Sequence, residues 1–143
     1  MKRVVLSLLL LTAVTASAQE FRARVSEVHS GNVITVREIG RRTAAVIQLE
    51  GVAVPGRWRP FAAKSRESLR ALVKYKQVTV IPRSHDRYGR LTATVLLDDL
   101  DVGLEQIRRG LAWYDPHAAD LPAYEAAEAE AERARVGLWA RRD

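Results

Sequence analysis

Residues 43–73 read TAAVIQLEGVAVPGRWRPFAAKSRESLRALV, and the hydrophobic period changes inside them. Thr43 to Leu49 is β-rich and reads as a strand. Gly51 to Arg59 contains Pro55 and two glycines and does not fit regular structure. From Pro60 the spacing turns helical. Phe61, Ser65, Leu69, Leu72 and Val73 fall near one face of a 3.6-residue repeat, with Pro60 in a first-turn position.

The pattern extends outward on both sides. Upstream, Phe21, Ala23 and Val25 alternate with Arg22, Arg24 and Ser26, the period of a half-buried strand. Ser30-Gly31-Asn32 is a turn before the β-branched run Val33 to Val36, and Gly40-Arg41-Arg42 is a second turn. Downstream, Gln77 to Ile81 and Leu91 to Leu97 are two further strands, joined through Pro82 to Arg90 with Tyr88-Gly89 at the turn. Val102, Leu104, Ile107 and Leu111 read as a second helix, ended by Trp113-Tyr114-Asp115-Pro116. Pro122 to Val136 reads as a third, closed by Gly137 at its C-cap. Three strands, a helix, two strands and two helices predict an α+β, mainly β chain. Its expected form is a five-stranded Greek-key barrel of the OB type with three helices; an open α+β sandwich is the alternative.

Composition narrows the chemistry. The chain has 143 residues, 48% of them apolar, and a formal charge of +6. It has no Cys, which excludes a disulfide scaffold, an iron–sulfur cluster, a cysteine nucleophile and a thiolate zinc site. Lys2 and Arg3 precede an apolar run, and Ala16-Ser17-Ala18 supplies a small-x-small sequence, so residues 1–18 are expected to be a cleavable secretory signal. The 15 residues from Val4 to Ala18 fall short of the ~20 that span a bilayer. The expectation is a secreted or periplasmic monomer, residues 19–143 in one domain, with no stable membrane anchor after cleavage. Loss of Lys2 and Arg3 lowers the charge from +6 to +4. That +4 divides into +9 over residues 19–97 and −5 over 98–143, so the barrel segment is the candidate anion-binding surface.

Several segments together resemble the staphylococcal nuclease family: Leu49-Glu50-Gly51-Val52 with Pro55, Pro60-Phe61-Ala62, Asp86-Arg87-Tyr88-Gly89-Arg90, Gly110-Leu111-Ala112-Trp113, and Ala127-Glu128 through Gly137-Leu138-Trp139. They keep the family's order and span residues 21–140. The resemblance implies an OB barrel with helices and calcium-dependent hydrolysis of DNA and RNA, a chemistry served by hard-cation carboxylates and arginines on the phosphate. Taken position by position, the charged residues depart from that pattern. The family's Asp-Gly-Asp-Thr corresponds to Ser30-Gly31-Asn32-Val33, so both carboxylates are absent. Its arginine corresponds to Gln48, its metal-binding aspartate to Ala53, and the glutamate that assists the attacking water to Gly56. Arg90 matches the arginine of the Tyr-Gly-Arg turn. Calcium is the cofactor expected for the family, but with these ligands missing no metal site is expected.

Other residues offer few replacements. Glu50 follows Gln48 by two and reads either as a base or as a rim charge. His29, beside Ser30, is badly placed to activate it, and His85 and His117 have no partner at metal-ligand spacing. The candidate ligand-binding residues are Arg90, Tyr88, Arg87, Gln48, Trp58, Arg57 and Arg59. Trp58 between two arginines suits single-stranded nucleic acid, and equally suits packing on the barrel rim. The sequence therefore points to noncatalytic binding of DNA, RNA or another polyanion. Two alternatives stay open: a divergent phosphodiesterase around Arg90, Tyr88 and Glu50, and a protein-interaction module using the acidic helical end.

Overall fold

Ala23 and Val25 are fully buried while Arg22 and Arg24 face solvent, so the first strand, β1 (Phe21–Val28), carries the expected alternation. Its phase then slips. The pairing skips Ser26 at a bulge between Val25 and Glu27, which turns Val28 inward as well. The computed structural model describes residues 19–140, so the expected signal segment lies outside the described residues.

The other elements are β2 (Val33–Glu38), β3 (Ala44–Leu49), β4 (Val52–Ala53), α1 (Ala62–Val73), β5 (Gln77–His85) and β6 (Leu91–Leu97). After them come β7 (Leu100–Asp101), α2 (Val102–Arg108), β8 (Trp113–Tyr114), α3 (Pro122–Ala134) and a 3₁₀ turn at Gly137–Trp139. Five strands pair in the order β3-β2-β1-β5-β6, and β6 returns parallel to β3 through Ile47↔Leu91, Gln48↔Thr92 and Leu49↔Ala93. That last ladder closes the expected OB-type barrel and leaves β3 and β6 without a free edge along it. Ile34, Val36, Ile47, Val80 and Val95 fill the interior, each fully buried.

Tertiary contacts overrule the local reading at four places. Pro60 lies outside α1. The helix starts at Ala62 behind Phe61, whose φ of 68° is left-handed, so the chain turns sharply before it coils. The second helix stops at Arg108, and Leu111 is not part of it, because Gly110 takes a positive φ of 69° and breaks the coil. The third helix is capped by Arg135 at φ 55°, not by Gly137, which instead opens the 3₁₀ turn. The stretch 51–59 and the segment at Trp113 both contain strand, since Val52 pairs with Tyr114 and Ala53 with Trp113.

Candidate nucleic-acid interface

The β1–β2 turn is docked from below by polar groups. Gly31 packs so closely that an added Cβ would collide with the Ser65 side chain of α1. Ser65 is fully buried and its Oγ donates to the Leu111 carbonyl at 2.6 Å. Gln106 of α2 is also fully buried, and its Nε2 donates to the carbonyls of Gly31 and Ser65, each at 3.0 Å. Ser30 Oγ donates to Asn32 Oδ1 at 2.8 Å, while Asn32 Nδ2 donates to the Val52 carbonyl at 2.8 Å. The side chains of Ser30 and Asn32 are thus committed to each other and to the turn. Gln106 was not recognised as a site-building residue in the sequence. Its signal was a polar residue at the spacing of the buried α2 face, with Val102, Gly103 and Ile107.

Arg90 is held by its own hairpin. Asp86 Oδ1 accepts from the backbone N–H of Tyr88 at 2.8 Å and of Arg90 at 2.9 Å, and Arg90 Nε pairs with Asp86 Oδ2 at 2.5 Å. Desolvation pushes the Asp86 carboxyl upward, but the hydrogen bonds from Arg90 and Tyr88 outweigh it and hold the pKa below its ordinary value. Gly89 supplies the positive φ of 75° that closes this turn. The guanidinium groups of Arg90 and Arg87 lie 5.5 and 6.0 Å from the centre of the exposed Tyr88 ring.

These two turns border a cavity of about 590 Å³. His29, Ser30, Arg57, Trp58, Arg66 and Arg90 are among its lining residues, and none of the lining residues is Asp or Glu. Trp58 keeps 91% of its surface exposed. Of the residues singled out in the sequence, His29, Ser30, Arg57, Trp58 and Arg90 meet here, and Arg66 of α1 joins them. The remaining candidates do not line it. Gln48 is paired in the ladder between Val33 and Thr92, Ala53 lies opposite Trp113, and Gly56 and Arg59 line an adjoining cavity. Tyr88 and Arg87 stand outside, stacked on each other. His29 Nε2 lies 2.7 Å from Thr35 Oγ1, and no hydrogen bond joins it to Ser30 among the described residues.

Glu50 belongs elsewhere. Its carboxylate pairs with Arg83 Nε at 3.3 Å and accepts from Thr94 Oγ1 at 3.5 Å, three ladder positions beyond the Ile47↔Leu91 pair next to Arg90. Neither Glu50 nor Tyr88 lines this cavity, so the two do not converge there with Arg90. Among the described residues no three His, Asp or Glu side chains gather as a metal-binding group.

A closed barrel of five strands with three helices, bearing a basic groove against the β1–β2 turn, defines an OB-fold domain of nuclease type. The chain belongs to the staphylococcal nuclease family: residues 42–141 match the family described as staphylococcal nuclease homologue. It is 31% identical over 134 residues to an uncharacterized endonuclease of Haemophilus influenzae, covering 93% of this chain and 75% of that one. An uncharacterized endonuclease of Escherichia coli O157:H7 is 31% identical over 126 residues, 87% of this chain and 80% of its own. A staphylococcal-like nuclease of Arabidopsis thaliana is 33% identical over 98 residues, 66% of this chain and 29% of the plant protein.

Proposed function

We propose that this protein is an exported, monomeric member of the family that binds single-stranded nucleic acid in its basic groove without cutting it by the family's calcium mechanism. The observation that carries the reading is the lining of the groove: Arg57, Arg66 and Arg90 around an exposed Trp58, with no carboxylate among them. Cations that follow a phosphate backbone, interleaved with an aromatic platform for a base, are the two requirements of sequence-tolerant single-strand binding.

Calcium does not fit the donor set at the family's ligand positions. Ca²⁺ takes six to eight oxygens, several of them carboxylate. Ser30 and Asn32 offer neutral oxygens already engaged with each other, and Ala53 and Gly56 offer no side-chain oxygen at all. Gly56 also leaves the attacking water without its carboxylate, and Glu50 is held by Arg83 and Thr94. What remains is anion binding by Arg90 and its neighbours.

Incubating the purified protein with single- and double-stranded DNA, with calcium and with a chelator, tests this. The expected result is retarded, uncut single-stranded DNA in both conditions. Affinity should fall with salt at a log–log slope near −2, about −0.7 for each of three arginine–phosphate contacts. DNA cut only in the presence of calcium would overturn the proposal; failure to bind any polyanion at low salt would favour a protein-interaction role for the acidic helical end.

A further inference from the structure

Beside the groove lies a second cavity, of about 460 Å³, walled by Val54, Pro55, Phe61, Trp113 and Leu138, with Arg59 as its one charged lining residue. The two spaces are neighbours that share walls in the 54–61 loop. Pro55 lines both of them. Arg57 and Trp58 line the groove and an intervening hollow, and Arg59 and Phe61 line that hollow and the second cavity. Arg57 and Arg59, two residues apart, are at most about 7 Å from Cα to Cα, so cationic groups follow one another along the path. Aliphatic walls, two aromatic rings and one guanidinium suit a flat, weakly polar ring attached to an anion, and the volume lies in the range of small-molecule sites. Adjacency to the groove, through shared walls at Pro55 and along Arg57 to Phe61, selects the occupant among such molecules: the next nucleotide of the strand whose phosphates the groove holds.

We propose that this cavity is a nucleobase subsite, in which a base enters between Phe61 and Trp113 and Arg59 holds the adjoining phosphate. The proposal rests on the single-strand reading of the groove and deepens it. A base in a duplex would first have to be unpaired and unstacked, a cost of a few kcal/mol, so the subsite favours single strands over duplex and favours strands long enough to reach from groove to cavity.

Gly56 provides the test. It sits in the cavity wall, its φ is not left-handed, and an added Cβ would find only Arg59 Cγ within 4 Å, at 3.9 Å. Gly56→Leu therefore adds apolar bulk at the cavity wall without a backbone collision at Cβ. Oligothymidylates of two to eight nucleotides are titrated in chelator by fluorescence anisotropy against the parent, Gly56→Leu, and Arg57→Ala/Arg90→Ala. The expected pattern is parental binding of the shortest oligonucleotide by Gly56→Leu, about tenfold weaker binding of the longest, and losses at every length in the double variant. A second readout needs no cavity variant. In Trp58→Phe the remaining indoles are Trp113 and Trp139, of which only Trp113 lines the cavity, and its emission should change when the long oligonucleotide binds. Parental affinity of a folded Gly56→Leu at all lengths, or unchanged emission in Trp58→Phe with binding intact, overturns the subsite and leaves the groove standing. Absence of binding by the parent at every length overturns the groove reading, and the subsite with it.

Discussion

Trp58 and Asp86 act through opposite kinds of environment. With 91% of its surface in water, Trp58 contributes little packing, so Trp58→Ala should change the unfolding free energy by no more than about 0.5 kcal/mol. Loss of a stacking platform costs about 1–3 kcal/mol per base, so the same variant should bind single-stranded DNA about 5- to 150-fold more weakly. Parallel urea melts and binding titrations measure both; a large stability loss would return Trp58 to rim packing. Asp86 works through its hydrogen bonds. Its folded pKa is lowered, so its contribution is full above the ordinary value of 3.8 and is lost as the pH falls from there through the lower folded value. Amide exchange at Tyr88 and Arg90, whose N–H groups it accepts, should accelerate over that acidic range and not at neutral pH. Asp86→Asn should abolish the dependence. At this scale Arg90, Arg57 and Trp58 were legible as residue types, whereas Gln106 was not, because an amide on a short helix carries no mark of the two carbonyls it meets across the fold.

The strands were legible because alternation is a local property, visible in Phe21 to Val25 before any partner is known. The bulge at Ser26 was hidden, since it exists only relative to β2. The same reason hid β4 and β8, two-residue strands that each acquire their identity from a partner far along the chain. Helix ends shifted for a comparable cause. Gly110 and Gly137 back onto one another: a Cβ on Gly137 would strike the Gly110 carbonyl, and Leu138 N–H donates to that carbonyl at 2.7 Å. This contact seats the 3₁₀ turn after α3 and leaves Arg135 to cap the helix. Gly110→Ala or Gly137→Ala combines a left-handed φ with a backbone collision and should cost about 2–4 kcal/mol. Gly40 also has a positive φ, 83°, but nothing lies within 4 Å of an added Cβ, so Gly40→Ala should cost only about 1 kcal/mol. Equal losses in chemical denaturation would mean that the glycine contact is not part of what holds the terminal helix.

For the molecule as a whole, the proposed function separates the barrel and its groove from the chemistry the family performs with them. Restoring the family residues tests how far that separation goes. If the proposed noncatalytic function holds, Ser30→Asp, Asn32→Asp, Gln48→Arg, Ala53→Asp and Gly56→Glu together should create calcium-dependent cleavage of DNA above the level of the parent, measured by release of short fragments with calcium and none in chelator. Inactivity of a folded, DNA-binding variant would mean that the scaffold around the groove has moved away from a catalytic geometry as well. The sequence by itself determined the order and type of the main elements, an expected OB-type barrel with an open sandwich as its alternative, the division of charge between barrel and tail, and which side chains stand at the family's positions. Hydrophobic period and residue identity are written along the chain and need no partner to be read. Only the tertiary structure decided that Arg57, Arg66 and Arg90 share one cavity with Trp58, that Glu50 is committed to Arg83 and Thr94, and that Arg59 faces a separate apolar space. Those facts depend on barrel closure through β3 and β6 and on how the 54–61 loop crosses to α1, distances between segments that no local pattern encodes.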